Sequence, residues 1–120
     1  MNTNSIHFYI IVIAILLSFT TNFGYSNLLD PFLFLKNNGS AYTSFENTYL
    51  VSMEWWRLIT PTFLHFSFTH LIFNCLWIYI LGSRIETIDG KGIFFVLFLI
   101  AGISSNLGQF FWTGNFLFGG

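Results

Sequence analysis

Trp55-Trp56-Arg57-Leu58-Ile59-Thr60-Pro61, running on through His65-Phe66-Ser67-Phe68-Thr69-His70-Leu71-Ile72-Phe73-Asn74, is the stretch whose reading decides the fold class. From Leu58 to Ser83 the chain carries no Asp, Glu, Lys or Arg, and the run exceeds the ~20 apolar residues a helix needs to cross a bilayer core of ~30 Å. Such a segment is expected to span a membrane. Within it an unpaired polar group costs several kcal/mol, so His70 and Asn74 are expected to face protein or a wet cavity. Four residues apart, they share one helical face with Cβ atoms about 5–6 Å apart, and Ser67, one turn before His70, falls on that face too.

Composition places the whole chain in the same class. Hydrophobic residues make up 54% and charged residues 8%, with seventeen phenylalanines among an aromatic share of 22%. A soluble domain carries about a quarter charged residues. A formal net charge of −1 excludes the basic stripe that a nucleic-acid partner would need. The single cysteine, Cys75, lies in the middle of the second run; it can form no internal disulfide and reads as a small buried hydrophobe.

Three apolar runs organise the chain as an all-α membrane protein: helix one over about 6–23, helix two over about 61–83 and helix three over about 92–112. The first run has no Lys or Arg before it and no small-x-small cleavage site after it, so it reads as a retained transmembrane helix and not a cleaved leader. Between helices one and two, residues 24–60 form a long loop mixing apolar Phe32-Leu33-Phe34-Leu35, turn-forming Asn37-Asn38-Gly39-Ser40 and amphipathic Thr48 to Trp56. Its tryptophans and tyrosines prefer the bilayer–water boundary, so the loop is expected to lie in the interface. Thr60-Pro61 is a helix-start signal, threonine as N-cap and proline at the first helical position. After helix two, Arg84-Ile85-Glu86 and Asp89-Gly90-Lys91-Gly92 make a short charged turn, so helices two and three are antiparallel. Two positive residues in that turn place it in the cytoplasm and the long loop outside. Helix three carries Ala101 and Ser105, and Gly102 and Asn106, at four-residue spacing, which reads as tight helix packing.

Metal chemistry fits these residues poorly. Zinc-binding helices set two His at i and i+4 with a glutamate between, whereas His65 and His70 are five apart, diverge by about 140° on a continuous helix, and have no acidic neighbour. Haem ligation by His7 and His70 would require two residues at different depths. No metal or cofactor is therefore expected. Acyl transfer offers a third chemistry: a tetrahedral oxyanion needs preorganised donors, and an imidazole N–H and an asparagine amide supply two. On these residues alone, His70 and Asn74 fit equally an oxyanion hole or a pair of interhelical hydrogen bonds worth about 0.6–2 kcal/mol each.

Glu54-Trp55-Trp56-Arg57, the run His65 to Asn74, and Leu81-Gly82-Ser83-Arg84-Ile85-Glu86 together resemble the first loop and second transmembrane helix of the rhomboid intramembrane serine proteases, over roughly Trp55 to Gly120. The resemblance implies a six-helix bundle of which this chain forms the first three helices, lodged in a bacterial cytoplasmic (inner) membrane, with transmembrane proteins as substrates and the bilayer as its other partner. It also implies that His70 and Asn74 are oxyanion donors, that His65 is a neighbouring site residue, and that Arg57 and Glu86 are polar anchors. Phe118-Gly119-Gly120 resembles the approach to the family's Gly-x-Ser-Gly motif, with Gly120 as its first glycine. The sequence given ends two residues before the serine would fall, and none of its three histidines matches the family's catalytic one. The expectation is an N-terminal part of a Ser–His dyad protease, inactive alone. Rival readings are a non-catalytic rhomboid-like protein that binds client helices and a small membrane-anchored structural protein. The family pattern has two glycines where this chain has Gly82-Ser83, a departure that touches packing.

Overall fold

The computed structural model describes residues 4–39 and 41–119 of the 120. Its regular elements are helical: α1 over Ile6–Thr20, α2 over Phe68–Ile88 and α3 over Lys91–Thr113, with short 3₁₀ and π turns over Asn22–Gly24, Asn27–Phe32, Asn47–Val51, Trp55–Leu58 and Thr60–Phe63. An isolated antiparallel bridge joins Asn37 and Tyr42 in the long connection between α1 and α2.

Of these helices, α2 and α3 are long and apolar enough to cross a membrane, at 21 and 23 residues. Their outward side chains, among them Leu76, Trp77, Ile80, Val96, Leu97 and Ile100, are exposed, an arrangement suited to hydrocarbon and not to water. α1 has 15 residues and so extends about 22 Å, short of the hydrocarbon thickness. It stops before the expected position 23 because Asn22 and Phe23 adopt left-handed backbone, at φ 50° and 52°. Two backbone bonds close its end, Thr21 N–H to the Leu17 carbonyl at 2.9 Å and Ser26 N–H to the Thr21 carbonyl at 3.0 Å.

α2 starts seven residues later than the Thr60-Pro61 signal places it. Pro61 does open a turn, but one 3₁₀ turn only, Thr60–Phe63, after which Leu64 is extended. The Thr60 hydroxyl is turned away from capping and donates to the Phe32 carbonyl at 3.0 Å. The working N-cap is Ser67, whose hydroxyl accepts from His70 N–H at 3.1 Å. Tertiary contacts overrule the local signal: Asn106 of α3 donates to the Leu58 carbonyl at 2.7 Å and to the Thr62 hydroxyl at 3.2 Å. Gly102 of α3 makes room for the same turn, since a Cβ there would sit 2.6 Å from Ile59 Cδ1. The four-residue spacing of Gly102 and Asn106 therefore serves a loop as its seat.

α2 likewise runs past position 83 to Ile88. Gly82 does not break it; a Cβ there would meet His7 Cβ at 2.6 Å, so the glycine permits the close approach of α1. Glu86, one turn on, accepts from His7 N–H at 2.6 Å and pairs with His7 Nδ1 at 2.9 Å, both side chains buried. Termination comes at Gly90, left-handed at φ 99°, whose N–H reaches back to the Ile85 and Glu86 carbonyls.

The long connection is a packed unit. Phe34 and Tyr49 are fully buried, with Leu35 and Phe118, in a cluster against the C-terminal end of α3. Phe34 stacks on Phe110 at 4.9 Å between ring centroids, and the Tyr49 hydroxyl donates to the Phe34 carbonyl at 2.6 Å. Ring stacking of this kind adds about 0.5–1.5 kcal/mol per pair beyond burial, enough to hold a loop with little regular structure.

Candidate active site

Because the chain is extended between the Thr60–Phe63 turn and α2, Leu64 and His65 are driven inward and are almost wholly buried. Glycine again permits this approach: a Cβ on Gly119 would lie 2.1 Å from the Leu64 carbonyl oxygen. His65 then sits where three elements meet. Its Nδ1 lies 3.3 Å from Ser18 Oγ of α1, and its Nε2 lies 2.9 Å from Asn74 Nδ2 of α2. The His70 ring packs edge-on against it, centroids 5.1 Å apart. The five-residue spacing of the two histidines does not splay them, because they do not belong to one helix.

Asn74 and His65 also line a cavity of about 380 Å³ between α1, α2 and α3, together with Thr62, Ser105, Asn106 and Gln109 on its polar side and Ala14, Ile78 and Phe98 on its apolar side. The His70 side chain is exposed at the start of α2, beside His65 and outside that lining. The structure thus brings His65, His70 and Asn74 together.

Burial, and then the neighbouring His70, push the His65 imidazole down to about 4, with the Phe63 backbone pulling the other way. His65 is therefore neutral at physiological pH. The folded value lies below the ordinary 6.5, so the unfolded chain binds the proton more readily, and stability rises with pH across that interval. The contribution is complete above 6.5 and is lost as pH falls through about 4, a difference of about 3–4 kcal/mol at most. Thermal unfolding in detergent, followed by circular dichroism from pH 8 to pH 4, should show a fall in this window that is smaller in His65→Gln. Parallel profiles for the two proteins would refute the assignment.

Arg57 and Glu86 make their contacts at different ends of the molecule. Arg57 is buried, and its Nη1 donates to the carbonyls of Asp30 at 2.8 Å, Leu33 at 2.8 Å and Leu35 at 3.3 Å, while Nε donates to Glu54 at 2.8 Å. Burial works to raise the Glu54 carboxyl, but hydrogen bonds from Arg57 and Lys36 outweigh it and hold the group below its ordinary value. Glu86 belongs with His7 at the far end of α2, sixteen residues beyond His70 and so about 24 Å along the helix. His7 and His70 are therefore too far apart to share an ion or a haem. Among the described residues no three His, Cys, Asp or Glu side chains gather as a metal site. Gly120 lies outside the described residues.

Sequence reasoning passed over Ser18 and gave Asn106 a packing role only. Ser18 is a lone hydroxyl in an apolar run, and such a group ordinarily satisfies itself on the carbonyl four residues back. Ser18 does so, donating to Ala14 at 2.7 Å, yet it also meets His65.

Comparison with known proteins converges on one family. The model of the Rhomboid domain matches residues 52–120. The rhomboid protease GluP of Bacillus subtilis is 36% identical over 100 residues, covering 78% of this chain and 20% of GluP. The rhomboid proteases GlpG of Photorhabdus laumondii and of Serratia proteamaculans are 41% and 40% identical over 68 residues, 57% of this chain and 24% of each relative. The chain spans about a fifth to a quarter of the length of these relatives.

Proposed function

The chain belongs to the rhomboid family, and from that membership we propose that it forms part of an intramembrane serine endopeptidase that cleaves transmembrane proteins through a Ser–His dyad. Its share of the site is the oxyanion side. Asn74, held by the buried His65 at the wall of a cavity between the helices, is the observation that carries this reading. An amide N–H fixed in a low-dielectric cavity stabilises developing negative charge without reorganising, the usual dominant contribution in acyl transfer. His70, its ring packed edge-on against His65, is the second donor. A serine would attack the peptide carbonyl, a histidine would take its proton, and the oxyanion would fall between these donors and backbone N–H groups. The sequence given contains no Gly-x-Ser-Gly, so these 120 residues alone should not turn over.

The test joins this chain to the remaining length of GluP and presents both the chimaera and the chain alone, in liposomes, with a transmembrane model substrate. Cleavage by the chimaera only is expected. Cleavage by the chain alone that survives His70→Ala, with contaminating protease excluded, would overturn the division of labour. A folded chimaera that binds the substrate helix without cutting it would favour a non-catalytic, client-binding role.

In the membrane, α1 together with the residues up to Phe23 forms the first of three crossings, and the loop over 24–60 lies in the interface. Trp56 and Tyr25 are well exposed there, as boundary aromatics should be. The α2–α3 turn faces the cytoplasm. A reporter fused after Gly90 should read cytoplasmic and one fused after Gly39 external; the reverse pattern would invert the orientation.

A further inference from the structure

Ser18, His65 and Asn74 form a chain of hydrogen bonds, with the Phe63 backbone a further acceptor beside the His65 ring, and the Ser18 end sets its direction. The Ala14 carbonyl can only accept, so the single hydroxyl proton of Ser18 is committed to it at 2.7 Å. What Ser18 Oγ offers to His65 Nδ1, at 3.3 Å, is then a lone pair. With the imidazole neutral, its one N–H belongs at Nδ1, and Nε2 is left bare, because the tautomer follows the hydrogen bond the other nitrogen makes. A bare Nε2 can only accept. The Asn74 amide at 2.9 Å must therefore present Nδ2 and not Oδ1. Of the two Nδ2 hydrogens, one is held by His65, and the other remains for a ligand in the cavity.

We propose that Ser18 of α1 is a positioning residue: it sets the Nδ1–H tautomer of His65 and through it the direction of the Asn74 amide. Ser18 touches no substrate in this scheme; its catalytic consequence rests on the reading of Asn74 as an oxyanion donor. Burial makes the arrangement stringent. Ser18 is 0% and His65 2% exposed, so water has little access to either imidazole nitrogen, and an unmatched donor or acceptor would stay unmatched.

The experiment is nitrogen NMR on the full chain in lipid bicelles, with histidine labelled at both ring nitrogens and the signals of the three histidines assigned through His7→Gln and His70→Gln. Wild type at pH 7.5 should show His65 with its proton on Nδ1, identified by couplings to the ring hydrogens. Ser18→Ala should abolish that preference and give a mixed or Nε2–H form, while Ser18→Thr, which keeps a hydroxyl able to bond the Ala14 carbonyl, should retain it. The Asn74 side-chain amide signals should move in Ser18→Ala and not in Ser18→Thr. An Nε2–H tautomer in wild type overturns the proposal without any variant. So does a His65 spectrum unchanged by Ser18→Ala. Loss of oxyanion function at Asn74 would leave these spectra as they are, so failure of that reading and failure of this one are separately visible.

Discussion

Replacing Arg57 with alanine should release the loop between α1 and α2 while leaving the spanning helices formed. The guanidinium is the common partner of three backbone carbonyls, from Asp30, Leu33 and Leu35, and of Glu54. Those carbonyls lie in a segment with almost no ladder of its own, so their bonds to Arg57 stand in for secondary structure. Alanine would strand them, and would leave Glu54 with Lys36, 3.0 Å away, as its ion-pair partner. Removing one member of a buried, hydrogen-bonded ion pair costs about 3–5 kcal/mol. Because the opening is local, the measurable quantity is proteolysis of the loop in detergent, which tracks the open population. Cleavage between residues 24 and 60 should accelerate about 10²–10³-fold in Arg57→Ala. Arg57→Lys should recover part of the loss only, since one ammonium cannot reproduce the fork that reaches the carbonyls and Glu54 together. A loop equally resistant in Arg57→Ala and wild type would show that the aromatic cluster around Phe34 and Tyr49 is sufficient.

Why α2 and α3, the helices long and apolar enough to cross a membrane, are legible in the sequence while the entry to α2 is not follows from the kind of information each requires. A charge-free run of more than twenty residues has few alternatives to a membrane helix, and the turn around Asp89-Gly90 contains its own stop signal. Thr60-Pro61 is equally plain as a local signal, and it does open a turn. What ends that turn is remote: Asn106 and Gly102, more than forty residues downstream, hold the segment against α3 and turn His65 inward. A 140° divergence between His65 and His70 presupposes an unbroken helix, and the break at Leu64 to Ser67 removes the premise and brings the rings into contact. Asn74 was legible as a residue in need of a partner because a polar side chain in an apolar run demands one. Its partner was not, because nothing local distinguishes His65 from His70. Glu86 reads as an anchor from the family resemblance, but only the structure supplies His7, 79 positions away, as its partner.

In the chimaera of this chain with GluP, His70→Ala and Asn74→Ala should each lower kcat about 10²–10³-fold, the usual cost of deleting one oxyanion donor. Stability should barely move in His70→Ala. His70 has an exposed side chain, and its backbone N–H bond to Ser67 survives the substitution. Asn74→Ala leaves the buried His65 Nε2 without its partner, at a cost of about 1–3 kcal/mol, so its kcat is read per folded molecule. Ile72→Ala, two residues from each and exposed on the outer face, is the control for handling and folding and should cleave as the parent does. KM should change little, because a donor aimed at the oxyanion acts mainly after the carbonyl becomes tetrahedral. If the pair were helix-packing groups, the order would invert: both variants would melt earlier, yet turn over at the parent rate per folded molecule. The double variant decides whether they act together. Donors that meet one developing charge should give a combined loss well short of the product of the two, whereas independent packing effects should add in free energy of unfolding and leave kcat alone.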